Sequence, residues 1–427
     1  MPNGENCLKP FITNPIPPDK TYLVMNNQLR DIENHSPDKV SDYTTFLKDV
    51  LTCSLGAYGG PEAHIGVFID QLVTRRNYLT EEELVELLAL CSILPGPTST
   101  QTIVAIGHKK GGPLLALLTM FVWAAPVLLV MTTLSFLYTI LSKTEVSSDI
   151  LRFIGPMAVG FIVLAAWKIS KKVVLDKLTF SLLVFSTIVT YAFRFPLIFP
   201  IVLAAGGLTT ILTSRKSDIW NKVSITPPWR YLLFFILFAA GAFFLSLGTD
   251  LKIFHLFESF YRYGYLVFGG GQVVVPVMYG ELVEVNNEMT NAEFLTGYGL
   301  VQGLPGPMFS FAAYAGGMAT RDGSTIYQIV GALVSGIAIF LPGLLLIYFI
   351  YPVWENVKKI QAIKISLKGI NAVAGGMITA AAIILLQLNG IEIANLLATL
   401  ITVVILATRK VPAPLLVVAA LLAGTAF

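Results

Sequence analysis

Charge is scarce in this chain. Only 13% of its 427 residues are Asp, Glu, Lys or Arg, against 55% hydrophobic, and the mean hydropathy is +0.72. Soluble domains carry about 25% charged residues, so a soluble globular protein is excluded. Charge is missing altogether from Gly111 to Ser142 and from Gly323 to Trp354. Each run is long enough for a membrane span of about 20 residues. Cysteine is scarce too. Cys7, Cys53 and Cys91 are odd in number and lack metal-ligand spacing, which argues against a disulfide framework and a metal site. HExxH, Gly-x-Ser-x-Gly and Walker patterns are absent, so neither an enzyme nor a self-powered ATPase is expected, and no cofactor is implied. A net charge of +3 gives no basic footprint for nucleic acid. Residues 1–45 are polar, contain Pro10, Pro15, Pro17 and Pro18, show no signal-peptide pattern, and are expected to form a flexible tail.

What the chain does have is one four-residue break, used twice. Leu94–Pro97 and Leu304–Pro307 both read LPGP, inside apolar, helix-like stretches. At an offset of 210, Tyr58, Thr80, Glu83, Leu90 and Pro95 fall on Phe268, Thr290, Glu293, Leu300 and Pro305. Beyond the charge-free runs the offset becomes 216, and Pro126, Arg152, Gly160 and Pro196 fall on Pro342, Lys368, Gly376 and Pro412. Chance likeness between apolar sequences matches Leu and Val. It does not keep Gly, Pro and charge in one frame, so the chain is an internal duplication.

Each half offers six hydrophobic elements, near 46–73, 82–107, 113–141, 150–168, 178–193 and 196–213, then 256–283, 292–318, 324–353, 366–387, 391–408 and 412–427. The first two of each set are rich in Gly and Pro, which leaves open whether they cross or re-enter. An extra apolar run, Tyr231–Gly248, lies between the halves. The expected fold is an all-α integral membrane protein. It has two inverted-topology repeats of about six helical elements, one connecting transmembrane helix, and Gly/Pro-broken helices at the centre. The expected segments are a tail at 1–45, a first repeat at 46–213, a linker with its helix at 214–250, and a second repeat at 251–427. Counted as thirteen crossings, the N-terminal side collects sixteen basic residues, including Lys109, Lys110, Lys172 and Lys358. The opposite side collects eight, including Arg75, Arg76, Arg262 and Arg321. The excess marks the N-terminal side as cytoplasmic and puts the C-terminus outside.

Inverted repeats with interrupted helices point to a transporter whose site lies between the breaks. Gly96 lets the backbone turn, and Pro97 suits the first helical position. The amides of Thr98, Ser99 and Thr100 then open a helix N-terminus, which favours an anion by about 0.3–2 kcal/mol. One such kink is as well explained by packing; two in register are not. The candidate substrate-binding residues are Pro95, Gly96, Pro97, Thr98, Ser99, Thr100 and Gln101 at the first break. At the second they are Gln302, Pro305, Gly306, Pro307, Met308, Phe309 and Ser310. The glycine clusters Gly59–Gly60 and Gly269–Gly270–Gly271 join them. Glu62, His64 and Asp70 are candidates for carrying a proton, since ionisable groups at membrane depth are costly. Arg75, Arg76, Lys109 and Lys110 are candidates for drawing anions in, or else simple interfacial anchors.

The paired motifs GGPEAHIG, LPGPTSTQ, FGGG and QGLPGPMFSFAAYAGG also carry a resemblance. Over residues 44–427 the chain resembles the chromate ion transporter family in its long, two-domain form. The matching positions are Gly59, Gly60, Pro61, Ala63, His64, Pro95, Gly96, Pro97, Gly269, Gly270, Gly271, Pro305, Gly306 and Pro307, with Tyr58 standing where Phe is common. The resemblance implies export of chromate from the cytoplasm, with sulfate as a related oxyanion; the inverted repeats themselves lead us to expect alternating access of one repeat against the other, in the inner membrane. The expected partners are such an oxyanion and the bilayer, with a homodimer left open. Export of another small anion such as an organic acid, or a non-transport scaffold, is the rival reading.

Overall fold

The computed structural model describes residues 37–141, 146–193, 198–214, 226–268, 271–390 and 392–426. Residues 1–46 form one compact unit and 47–427 the other. Of the expected tail, 37–45 are helical, and the remainder lies outside the described residues. The first repeat contains α1 (Pro37–Gly56), α2 (Pro61–Phe68) continued by a π-helical stretch (Ile69–Arg75), α3 (Glu81–Ile93) and α4 (Thr98–Leu141). It goes on through α5 (Val146–Leu151), α6 (Ile154–Val173), α7 (Lys177–Ala192) and α8 (Ile198–Leu212). The connecting helix is α9 (Trp229–Gly248). The second repeat opens with α10 (Lys252–Leu266), α11 (Val274–Tyr279) with its own π stretch (Gly280–Val285), and α12 (Asn291–Gln302). A 3-10 turn (Met308–Ser310) leads into α13 (Phe311–Ala319), followed by α14 (Thr325–Ile350), α15 (Trp354–Val357), α16 (Gln361–Leu388), α17 (Ile393–Ala407) and α18 (Ala413–Ala426).

The sequence repeat is a structural one down to its turns. Thr80 caps α3 by accepting from the Glu83 amide (3.2 Å), while the Glu83 carboxylate accepts from the Thr80 amide (3.0 Å). Thr290 and Glu293 do the same for α12, at 3.2 and 2.7 Å. Asn77 and Asn287, also 210 apart, both take a left-handed turn, with φ of 50° and 53°. Asn tolerates that region better than most residues.

The first two elements of each repeat fold back on themselves as broken hairpins, which departs from the thirteen-crossing count. Arg76 donates to Asp49 at 2.9 Å and Tyr78 to the other oxygen of Asp49 at 2.6 Å. The chain after the Gly59–Gly60 break therefore folds back along α1. Helix α4 is divided at Gly111 and Gly112, whose φ of −150° and 74° are not helical, into segments 98–110 and 113–141. Lys109, ending the first segment, pairs with Glu83 at 2.5 Å, and Lys110 lies over the Tyr78 ring at 4.4 Å. Arg75, Arg76, Lys109 and Lys110 thus share one face. The second repeat copies this at the other face: Arg321, just after α13, meets Glu293 at 3.5 Å and the Glu288 carbonyl at 2.9 Å. In its first hairpin Arg262 is held by Glu281 (2.7 and 3.0 Å) and Glu258 (2.7 and 3.0 Å). Glu281 is buried.

Four elements of each repeat then run between the Lys109 face and the Arg321 face. The second segment of α4 starts where Tyr348 donates to the Pro113 carbonyl at 2.5 Å and ends where Thr139 meets Met318 at 3.9 Å. Helix α7 runs parallel to α16. Asp176 at its start pairs with Lys368 (2.5 Å), and Tyr191 at its end with Gln387 (3.1 Å), about 28 Å apart along α16. Helices α4, α6, α9, α14 and α16 are long and apolar enough to cross a membrane; α7, α8, α17 and α18 are apolar but shorter. Four passes return the chain to its starting face and α9 adds a fifth, so the second repeat is inverted.

The repeats interlock. A Cβ on Gly160 of α6 would meet Thr402 of α17 at 2.7 Å, and one on Gly376 of α16 would meet Ser186 of α7 at 2.8 Å. These are the same contact, exchanged by the 216 offset. Thr399 donates to the Pro156 carbonyl (2.9 Å) and Ser186 to that of Val373 (2.7 Å). Helices α6 and α7 of one repeat and α16 and α17 of the other therefore pack as one bundle. By contrast α9 buries only Ala242, which leaves its apolar surface for lipid.

Candidate functional site

The two breaks are built alike. Helix α3 ends in extended backbone at Leu94 (φ −83°, ψ 145°), Gly96 turns with φ 127°, and α4 starts after Pro97. At the second break Gly306 turns with φ 102°, and Pro307 (φ −71°) leads into the 3-10 turn and then α13. A 3-10 turn in place of a regular α N-terminus is a departure from expectation. Each turn is pinned by the opposite repeat: the Gly96 amide donates to the Val267 carbonyl at 2.7 Å, and the Gly306 amide to that of Ala57 at 2.9 Å. Ala57 and Val267 each stand two residues before a glycine cluster.

Between the breaks lies a small, partly open pocket lined by His64, Pro97, Thr98, Ser99, Thr100, Pro307, Met308 and Phe309. The first helical amide with an intrahelical acceptor is that of Gln101, to Pro97 at 2.9 Å. Those of Thr98, Ser99 and Thr100 have none by helix geometry. Nδ1 of His64 lies 2.9 Å from the Ser99 hydroxyl, and the imidazole meets the Trp123 ring edge-on at 5.3 Å. Trp123 in turn donates to the Thr100 hydroxyl at 3.1 Å. Nε2 of His64 and the hydroxyl of Ser310 are buried and have no hydrogen-bond partner among the described residues. Unsatisfied buried polar atoms are rare and call for an explanation. Among the described residues, no lysine or arginine lines this pocket.

The other predicted residues divide. Gln101 belongs to the break itself: its side-chain amide donates to the Pro95 carbonyl at 2.8 Å and folds against Gly96, so it braces the turn. A Cβ on Gly60 would stand 3.6 Å from the Met308 sulfur, and Gly59 and Gly60 have φ of 91° and 87°. Gly271 opens a short 3-10 turn, whereas Gly269 and Gly270 lie outside the described residues. So does the side chain of Glu62. Gln302 is buried at the end of α12, Pro305 completes the second break, and neither lines the pocket. Asp70 is not brought there either; half exposed, it pairs with Arg75 at 2.9 Å on the Lys109 face. Arg75, Arg76, Lys109 and Lys110 form an outer ring on that face, each beside an acid or an aromatic ring. Lys109 holds the Glu83 carboxyl below its ordinary range, helped by the Thr80 amide. No cluster of His, Cys, Asp and Glu able to hold a metal occurs among the described residues.

Sequence reasoning missed Trp123 and the carbonyls of Ala57 and Val267. A signal for Trp123 existed: it is a tryptophan in the middle of a charge-free helix, where an indole N–H needs a partner. For the carbonyls there was none.

A model of the family described as chromate transporter matches residues 44–211 and again 254–425. A probable chromate transport protein of Synechococcus elongatus is 27% identical over 381 residues, 87% of this chain and 93% of its own. A chromate transport protein of Cupriavidus metallidurans is 27% identical over 375 residues, 86% of this chain and 88% of its own. One of Pseudomonas aeruginosa is 26% identical over 380 residues, 85% and 88% of the two chains. No solved structure matches. The family model covers both repeats separately, breaks included, and this multi-pass membrane protein belongs to the chromate transporter family.

Proposed function

We propose that the chain is a secondary transporter that exports a divalent tetrahedral oxyanion, chromate first and sulfate as its relative, with the anion held between the two breaks. The observation that carries this reading is the convergence of Pro97–Thr100 and Pro307–Phe309 on one pocket, with unpartnered polar atoms on His64 and nearby Ser310. The relatives named for chromate transport support the choice of substrate. Because the repeats interlock through α6, α7, α16 and α17, alternating access is assigned to the broken hairpins moving against that bundle. Arg75 and Arg76 join the Lys109 face, which strengthens its basic excess and supports a cytoplasmic N-terminus in the plasma membrane, with the C-terminus outside. An inside-negative potential then drives export, at about 2.3 kcal/mol per charge per 100 mV.

The test is uptake of labelled chromate and sulfate into inside-out vesicles with an imposed potential. Uptake that follows the potential is expected. If folded protein takes up neither anion, the oxyanion reading fails, and organic acids are the next substrates to try.

A further inference from the structure

The pocket contains an imbalance that its hydroxyls and amides do not resolve. A divalent anion there would be surrounded by prolines, Met308, Phe309 and neutral donors, with no lysine or arginine. Burying such a charge without compensation is costly. The sole lining side chain that can change its charge is His64. It is 1% exposed, and Nε2 has no partner.

Among the described residues, those that face His64 are also without charge. Ser99, Thr100 and Trp123 face it from α4, and Pro307, Met308 and Phe309 from the second break. On its own segment Glu62 is two positions away, and its side chain lies outside the described residues. Asp70 is paired with Arg75 at 2.9 Å, and Asp49 of α1 with Arg76 at 2.9 Å, both on the Lys109 face. With no carboxylate beside it among the described residues, an imidazolium in the empty pocket would be costly as well.

Each cost cancels the other. We infer that the pocket takes up its oxyanion together with one proton on His64, so that a divalent anion leaves the occupied site with one net negative charge. This rests on the oxyanion reading of the pocket. The chemistry follows from the 2.9 Å bond to Ser99. Neutral imidazole offers one N–H, whereas imidazolium donates from both nitrogens. A proton from bulk water on the vacant ring nitrogen leaves Nδ1–H donating to the Ser99 oxygen. The Ser99 hydroxyl hydrogen is then free for the anion, and Nε2–H is a second, charge-assisted donor. His64 and Ser99 thus act as one unit, and a transport cycle moves one net charge outward per anion instead of two.

The experiment uses the full chain in detergent with sulfate as probe, because chromate takes up a proton of its own near neutral pH. Sulfate is titrated calorimetrically at several pH values and, in lightly buffered solution, with a record of protons taken up. The expected result is close to one proton absorbed per sulfate at pH 8, with affinity tightening about tenfold for each unit that the pH is lowered from there. In His64→Gln, which keeps an amide donor, proton uptake and pH dependence are both lost. Because that variant can misfold, a second readout uses the unaltered protein. Sulfate should quench the fluorescence of Trp123, whose ring meets His64 at 5.3 Å, and Trp123→Phe should remove that component. Sulfate binding without proton uptake overturns the inference and leaves the oxyanion site standing. Retention of pH dependence in folded His64→Gln also overturns it. Failure of both sulfate and chromate to bind at any pH strikes the oxyanion reading itself.

Discussion

The amide of Gly306 donates to the carbonyl of Ala57 at 2.9 Å, and the 210 offset turns that bond into the one from Gly96 to Val267 at 2.7 Å. Each break is thereby held by the glycine motif of the opposite repeat. The two halves build one pocket because neither break can be positioned without the other half.

Gly306→Ala and Gly96→Ala test this bracing. Both glycines have positive φ, 102° and 127°, and a Cβ on Gly306 would press on Val127 at 3.1 Å. Strain of about 1–3 kcal/mol is expected at each, with a lower Tm and transport cut at least tenfold. Gly66→Ala, where a Cβ meets nothing within 4 Å, should behave as wild type. Wild-type transport by Gly306→Ala would show that the brace is dispensable.

Thr98→Val combined with Ser99→Ala removes two hydroxyls from the pocket wall. Loss of hydrogen bonds to a charged ligand costs about 1.5–3 kcal/mol, so affinity should fall roughly 10- to 100-fold, and the Tm should fall too because His64 Nδ1 loses its Ser99 partner. Calorimetric titration with sulfate or chromate measures it. Unchanged affinity would move the anion away from the first break.

Much of this was legible in the sequence, for physical reasons. The LPGP pairs, Thr80–Glu83 and Thr290–Glu293 are local devices, because a cap or a proline break acts within one turn. Re-entrance was not legible. A segment such as 82–107 has the same hydropathy whether it crosses or turns back at Gly96, and the decision rests on Glu83 meeting Lys109. The His64–Ser99 bond spans 35 positions and depends on how α2 and α4 pack. Asp70 was misplaced because apolar flanks were read as membrane depth, whereas it lies half exposed beside Arg75.

Arg262 stands between two carboxylates, one of them the buried Glu281. Arg262→Ala would leave two acids facing each other, at a cost of about 3–5 kcal/mol. Thermal unfolding in detergent should show a large fall in Tm, or no folded protein at all. Glu258→Gln should cost less, since Arg262 keeps both bonds to Glu281.

Asp176 caps α7 and pairs with Lys368, whose hydrogen bond, together with the Thr179 amide and hydroxyl, holds the Asp176 carboxyl down to about 2. A depressed carboxyl contributes stability that is complete above its unfolded value near 4 and is lost as pH falls toward 2. The gap in Tm between wild type and Asp176→Ala should therefore be present at pH 6 and shrink below pH 4. At pH 6 it reflects chiefly the lost cap, about 0.5–2 kcal/mol, because the ion pair is solvent-exposed. A gap that is the same at pH 6 and pH 3 would rule the ionised cap out.

Single cysteines decide the topology. They are placed in a background with Cys7, Cys53 and Cys91 replaced, of which Cys53 and Cys91 are buried. Arg75→Cys and Lys110→Cys should react with an impermeant thiol reagent from the same membrane face, because both hairpins turn back before crossing. Lys172→Cys, at the end of α6, should react from that face too. Asn389→Cys, at the end of α16, should react only from the opposite one. If Arg75→Cys and Lys110→Cys label from different faces, the hairpins cross and the convergence of the two breaks is lost. If Lys172→Cys and Asn389→Cys label from the same face, the repeats are parallel. The two helix ends could then not meet across one pocket.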